Sequence, residues 1–218
     1  MKTLSKKYQI KLENIVLDWF LKYPLISNYN DDIIDKLIFL IGQSKKAGFK
    51  RIIFPLLEDN SINSLSKQIL FKKIFQEKIG DTLIKNNIEM HFETDLDPGL
   101  ESKLLDSLNN EKLKICFDMG NSESYGYDPK KHLAKISNNL GSVHIKDRKF
   151  QSSSFPLGKG DVNFYDVFQS LHSQNFNGPI SFQVYRNKIS DNFLVLKKSL
   201  NFINNIIFNV NNGEKKTK

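Results

Sequence analysis

Cysteine is nearly missing from this sequence, since Cys116 is the only one among 218 residues. A single cysteine cannot form an internal disulfide, so we expect the protein in a reducing cytoplasm. Apolar runs of about 18 residues or more are also missing, which predicts that the chain does not span a membrane. The N-terminus is basic at Lys2, Lys6 and Lys7 but no apolar segment follows, so we predict no secretory signal.

Charge of one sign predominates, with a formal net charge of +8 at pH 7. This excess attracts phosphate groups, so nucleic acid and phosphorylated small molecules are both candidate partners. The lysines are scattered over predicted helix surfaces, which is typical of a solvated surface and disfavours nucleic acid. Residues 211–218 carry the dense basic cluster, and we predict that they form a disordered tail.

Strand-like and helix-like segments alternate along the rest of the chain. The predicted strands are 11–17, 51–57, 88–92, 113–117, 141–143 and 179–182. The predicted helices are 31–46, 61–86 with a break near 80–81, one opened by Pro98, one opened by Pro129 after an Asp128 cap, 163–174 and 190–209. A loop rich in serine and glycine is predicted at 148–160. Because strands and helices alternate with short connections, we predict a parallel α/β sheet.

This pattern predicts six βα units in one domain, 1–210, without an internal boundary. A closed (β/α) TIM barrel has eight such units and about 250 residues. We therefore expect a TIM-barrel-like α/β fold that is incomplete by about two units. A smaller open α/β sheet is the alternative.

Polar residues follow four of the predicted strands where each strand ends: Glu93, Asp118, His144 and Gln183. In a parallel α/β barrel the carboxyl ends of the strands converge on one mouth, so residues distant in sequence meet there. Carboxylate, imidazole and amide donors suit Mn²⁺ or Mg²⁺, with Zn²⁺ or Co²⁺ as alternatives. As structural alternatives, Glu93 and Asp118 could cap helices and His144 could be an ordinary strand residue.

Sequence motifs around these residues occur in a characteristic order. They are Phe-Glu-Thr-Asp-Leu-Asp-Pro at 92–98, Phe-Asp-Met-Gly-Asn-Ser at 117–122, Gly-Tyr-Asp-Pro at 126–129, His-Ile-Lys-Asp-Arg at 144–148, Pro-Leu-Gly-Lys-Gly-Asp-Val at 156–162 and Phe-Gln-Val-Tyr-Arg at 182–186. Together they resemble the sugar phosphate isomerase/epimerase superfamily, the xylose isomerase-like TIM barrels, from about residue 15 to 207.

The resemblance implies a divalent metal bound by Glu93, Asp118 and His144. The family usually has a glutamate as its fourth ligand, where this chain has Gln183. The reaction implied is proton transfer next to the carbonyl of a sugar or sugar phosphate, with the metal as Lewis acid and a carboxylate as base. Because an amide cannot accept a proton, the base would be Glu93, or Glu58 from the neighbouring strand.

The resemblance also implies substrate contacts. It places Lys146, Asp147 and Arg148 beside the substrate, and Asp18 at the mouth end of what would be the family's third strand. Asn121 would contact substrate or cap a turn. Arg148 and Arg186 would bind a phosphate or form surface ion pairs. Lys159 would belong to a lid or to a plain glycine turn.

In the matched family the first two barrel strands precede the segment that this sequence covers. An open barrel leaves strand edges with unpaired backbone groups. A separate N-terminal barrel fragment, a partner subunit, a homo-oligomer or a rearranged N-terminus could cover these edges.

The leading functional hypothesis is a metal-dependent isomerase or epimerase of a sugar or sugar phosphate. The alternative is a non-catalytic or truncated remnant or subunit of such a barrel. An abasic-site endonuclease ranks last, because those enzymes use three metals and need more histidines, including His-x-His, than the four present here.

Overall fold

The computed structural model describes residues 2–186 and 191–213. The chain divides into two compact units, Met1–Cys116 and Phe117–Lys218. Strand and helix alternate within each unit, as the sequence pattern predicts.

The first unit is built on parallel strands that pair in chain order. They are β1 Asn14–Val16, β2 Arg51–Leu56, β3 Glu89–Thr94 and β4 Leu113–Asp118, whose last two residues belong to the second unit. In β2 and β3 the five residues after the first are all buried. Such continuous burial is typical of parallel strands covered on both faces.

The helices of the first unit are α1 Lys2–Tyr8, α2 Trp19–Lys22, α3 Asp31–Ala47, α4 Leu65–Ile74, α5 Gly80–Asn86 and α6 Pro98–Leu108. The Asn30 side chain caps α3, and Gly48 ends it in the left-handed region at φ 93°. The predicted helix 61–86 is instead two helices, α4 and α5, joined by a π-helical turn at Phe75–Ile79. The π turn ends directly before Gly80, where α5 begins and where the sequence predicts the break.

Phenylalanine rings form the centre of this unit. The fully buried Phe92 of β3 lies 6.4 Å from Phe54, 5.4 Å from Phe71 and 5.9 Å from Phe75, measured between ring centroids. All three pairs are edge-on, the arrangement that aromatic quadrupoles favour. These ring contacts pack helix α4 and the π turn that follows it against strands β2 and β3.

The second unit contains α7 Met119–Ser124, α8 Pro129–Ile136, β5 Leu140–Ile145, β6 Asp147–Arg148, β7 Ser154–Phe155, α9 Phe164–Ser173, β8 Ile180–Phe182 and α10 Asn192–Asn211. Strands β5 and β8 pair in parallel, with His144 opposite Ser181. The Asp128 side chain caps α8 by accepting from the Lys131 N–H, and the Asn163 side chain caps α9 by accepting from the Asp166 N–H.

Two segments differ from the sequence expectation. The predicted loop 148–160 contains an antiparallel pair, because β6 and β7 join Asp147 to Phe155 and Arg148 to Ser154. Helix α10 continues to Asn211, and residues 212–213 form a turn. The remainder of the predicted basic tail, 214–218, lies outside the described residues. Within residues 2–186 and 191–213, no helix combines the length and apolar character that a membrane crossing requires.

Candidate functional site

Each of the four predicted ligand residues lies at the carboxyl end of its own strand. Glu93 and Asp118 occupy the last or next-to-last position of β3 and β4, and His144 is the fifth residue of β5. Gln183 directly follows β8, and its backbone N–H donates to Ile145 O at 2.9 Å. Glu93, Asp118 and His144 are each only 4% exposed, and Gln183 is half-buried. Buried charged groups need compensation, so these positions are unusual for ionisable residues.

In the first unit, Glu93 has a soft donor beside it. A Glu93 carboxylate oxygen and Cys116 Sγ lie within 4.8 Å of each other. The buried Cys116 lies on β4, the strand that pairs with β3. Glu58 and Asp18 are both exposed, Glu58 in a 3₁₀ turn with φ 54° and Asp18 just before α2. Neither of these two carboxylates is part of a buried cluster.

In the second unit, one lysine joins two of the predicted ligands. Lys146 Nζ donates to Gln183 Oε1 at 2.7 Å and to Asp118 Oδ2 at 3.3 Å. The Lys146 side chain is 16% exposed and that of Asp118 is 1% exposed. We call Asp118, Lys146 and Gln183 the Lys146 cluster. Lys146 is 28 residues from Asp118 and 37 residues from Gln183 in sequence, so only the fold brings the three together.

The cluster is held in place by the start of α7. Asp118 Oδ1 accepts from the Asn121 N–H at 2.8 Å, so the carboxylate caps α7 through one oxygen and binds Lys146 through the other. A Cβ at Gly120 would lie 2.9 Å from Lys146 Cβ and Cγ. Only a residue without a side chain leaves room there for the lysine stem.

Arg148 is tied to its surroundings rather than projecting into solvent. Its Nη1 donates to Asn121 Oδ1 at 2.8 Å, and its Nε donates to Ser152 O at 2.7 Å. Part of the guanidinium fork is therefore used to link α7 with the β6–β7 turn. Arg186 is exposed after β8.

Asp147 has a role that sequence reasoning missed. Its Oδ2 accepts from the backbone N–H groups of Gly158, Lys159 and Gly160 at 2.8, 3.1 and 2.9 Å, and its Oδ1 accepts from Val162 N–H at 3.3 Å. We call residues 156–162 the anchored loop. A Cβ at Gly160 would lie 2.1 Å from Asp147 Oδ1, so the glycine is required for this approach. The two glycines around Lys159 were the available signal, since close backbone approach often needs glycine.

The environment of Asp147 has opposing electrostatic effects. Burial raises the pKa of the Asp147 carboxyl, and the four backbone hydrogen bonds lower it. The effect of burial is the larger, so the pKa lies above its ordinary value. The residue is 1% exposed. Asp147 therefore organises the loop that carries Lys159.

Comparison with known proteins identifies the class of protein. Residues 77–206 match the family described as the xylose isomerase-like TIM barrel. The match covers more than half of the chain, and the chain belongs to this family. The resemblance predicted from the ordered motifs is confirmed.

Individual proteins with known names are also similar to this chain, at low sequence identity. A putative L-ribulose-5-phosphate 3-epimerase of Escherichia coli is 25% identical over 93 residues, which are 39% of this chain and 32% of that protein. The matches to curated relatives extend over 28% to 43% of the length of those proteins, well under two thirds.

Solved structures share the fold. A xylose isomerase domain protein from Planctomyces limnophilus is similar with a TM-score of 0.81 at 16% identity, covering 97% of this chain and 83% of that chain. A xylose isomerase-like TIM barrel protein from Mycobacterium smegmatis, in complex with magnesium, has a TM-score of 0.72 at 15% identity, covering 96% and 77%. The described residues contain six principal strands where a closed barrel has eight, so the predicted incomplete TIM-barrel-like fold with six βα units is confirmed.

Proposed function

We propose that this chain is a sugar or sugar-phosphate isomerase/epimerase that depends on a divalent cation. The observation that carries the proposal is the burial of Glu93, Asp118 and His144 at strand ends in a member of the xylose isomerase-like family. Active sites of TIM barrels lie at the carboxyl ends of the strands. The epimerase named among the relatives supports the reaction type.

The donor chemistry fits a divalent cation. Glu93, Asp118, His144 and Gln183 would supply carboxylate, imidazole and amide donors, which suit Mn²⁺ or Mg²⁺. The magnesium complex of the Mycobacterium smegmatis protein supports this class of ion. The Cys116 thiol beside Glu93 favours the alternatives Zn²⁺ or Co²⁺ if it also binds the ion.

Proton transfer would fall to the carboxylates of the first unit. When bound, the cation would polarise the carbonyl and hydroxyl oxygens of the substrate. Glu93 would accept the proton next to the carbonyl, because its carboxylate is buried and lies at a strand end. Glu58 is the alternative base, although it is exposed. The Gln183 amide can hold a hydroxyl or an ion but cannot return a proton on the opposite face.

The remaining predicted substrate contacts stay proposals. Asn121 and Arg148 would act as a pair, since their side chains are already hydrogen-bonded. Asp147 would act through the anchored loop and Lys159. Arg186 and Asp18 are exposed and would contact the distal part of a polyhydroxylated or phosphorylated ligand. A cytoplasmic location and a homo-oligomer or a separate N-terminal fragment also remain predictions.

Turnover tests the proposal directly. Purified protein with Mn²⁺ should interconvert at least one member of a panel of ketoses and ketose phosphates. We expect Glu93→Gln to lower kcat by about 10²-fold or more, because general acid–base groups contribute 10²–10⁴-fold. Excess chelator should remove the activity of the wild type.

Glu77→Gln is the matched control, because Glu77 is an exposed glutamate of the same unit. This variant should keep wild-type activity. Wild-type turnover that persists in excess chelator, or Glu93→Gln turnover equal to that of the control, would contradict the proposal.

A second candidate is a non-catalytic member of the family. The observation that favours it is the Lys146 ammonium on Asp118 and Gln183, which places a protein cation on two predicted metal ligands. A non-catalytic protein would show no metal-dependent turnover with any substrate of the panel.

A further inference from the structure

The Lys146 cluster provides a cation of the protein's own at two of the proposed ligands. The ammonium of Lys146 lies 2.7 Å from Gln183 Oε1 and 3.3 Å from Asp118 Oδ2. Asp118 is almost completely buried, and a buried carboxylate is costly unless a charge partner compensates it. In this arrangement Lys146 supplies the compensation.

The backbone around Asp118 is shaped for the lysine. The Gly120 position would bring a Cβ to 2.9 Å from two carbons of the Lys146 stem, so the stem passes directly over the start of α7. The other oxygen of Asp118 is engaged by the Asn121 N–H, which fixes the carboxylate and directs Oδ2 to the ammonium. Two independent features, the hydrogen bonds and the glycine, thus favour the same position of Lys146.

A divalent cation and this ammonium would use the same acceptors. The Lys146 ammonium already takes up one lone pair of Asp118 Oδ2 and one of Gln183 Oε1, so an ion bound to the same two oxygens would lie close to Lys146 Nζ. Like charges in a buried site also repel, because the effective dielectric constant there is below that of water. Charge repulsion therefore weakens the binding of a divalent cation to Asp118 and Gln183 for as long as Lys146 Nζ stays on these oxygens.

We propose that Lys146 is an internal competitor for the cation site, which holds Asp118 and Gln183 in place and lowers the affinity of the protein for divalent metal. This inference rests on the proposed function for its metal, and it assigns Lys146 a regulating position instead of a substrate contact. The gain for the protein is a stable ligand set before the ion arrives. The cost is weaker binding of that ion.

Calorimetric titration with Mn²⁺ tests the proposal on the full chain. Lys146→Met keeps the length of the stem and removes the charge, and Lys146→Gln keeps a hydrogen-bond donor without the charge. Both should bind Mn²⁺ about tenfold or more tightly than the wild type does. Lys135→Met is the matched control, because Lys135 is an exposed lysine of α8, and its affinity should equal that of the wild type.

Thermal unfolding gives a second readout that does not involve turnover. Without metal, Lys146→Met should unfold at a lower temperature than Lys135→Met, because the buried Asp118 has lost its ion pair with Lys146. Mn²⁺ should raise the unfolding temperature of Lys146→Met more than that of the wild type. If Lys146→Met does not fold, the Lys146→Gln titration decides.

The outcomes separate this proposal from the proposed function. Equal Mn²⁺ affinity of the wild type, the two Lys146 variants and Lys135→Met would contradict the competition but not the metal-dependent function. Weaker binding by both Lys146 variants would have the same meaning. Binding by the Lys146 variants but not by the wild type would support the competition and contradict metal dependence of the natural chain. No binding by any of the proteins would overturn both.

Discussion

Replacing Phe92 by alanine should lower the free energy of unfolding by about 3–5 kcal/mol, the range for large aromatic truncations in cores. Phe92 is fully buried, and its ring contacts Phe54 of β2, Phe71 of α4 and Phe75 of the π turn. The variant would lose the buried apolar area, leave a cavity and break three edge-on ring pairs. Urea denaturation followed by circular dichroism would measure the loss.

Phe39→Ala is the control for this substitution. Phe39 lies on α3 and is 59% exposed, so its truncation should change the free energy of unfolding by about 0.5 kcal/mol or less. Similar losses for the two variants would contradict the central position of Phe92. They would also indicate that β2, β3 and α4 do not share one core.

Replacing Asp147 by alanine should release the anchored loop, with a loss of about 2–3 kcal/mol in the free energy of unfolding. This range applies because hydrogen bonds to charged groups contribute about 1.5–3 kcal/mol and relieved burial of the charge offsets part of the sum. Four backbone N–H groups would lose the Asp147 carboxylate as acceptor, and only that of Lys159 would keep a second one, Pro156 O at 3.0 Å. Hydrogen exchange at the amides of residues 158, 159, 160 and 162 should become faster than in the wild type.

Asp161→Ala is the matched control, because Asp161 is an exposed aspartate of the same loop. It should leave exchange at these four amides close to the wild-type rate.

The pH dependence of stability gives a second test of the role of Asp147. Because burial raises the pKa of Asp147 in the folded state, the net contribution of Asp147 to stability is smaller when its carboxyl is ionised than when it is protonated. The stability of the wild type relative to Asp147→Ala should therefore grow as the pH falls through the folded-state pKa toward the ordinary value. A constant difference would contradict this account.

The sequence predicted the elements that depend on local chemistry. Helix α3 begins after Asn30 and ends before Gly48, and both signals are readable from residue type alone. The strand-end positions of Glu93, Asp118 and His144 follow from apolar runs of the length expected for strands. The family motifs in order predicted the barrel, and the comparisons confirm it.

The sequence could not predict contacts that depend on distant pairing. Lys146, Asp118 and Gln183 meet only because β5 and β8 pair in a particular register and α7 starts at the end of β4. The same limit applies to β6 and β7, since a two-residue pair has too little periodicity to be detected. In the predicted helix 61–86, the π turn is invisible because its residues are ordinary helix formers.

Calorimetric titration of the wild type and His144→Ala with Mn²⁺ tests the central claim most directly, because His144 is the imidazole donor of the proposed cation site. We expect the wild type to bind with a dissociation constant on the order of micromolar or better. We expect His144→Ala to lose most of this affinity, while His172→Ala, which removes an exposed histidine of α9, keeps it. A wild type without measurable Mn²⁺ binding, or a His144→Ala protein that binds as the wild type does, would contradict the claim.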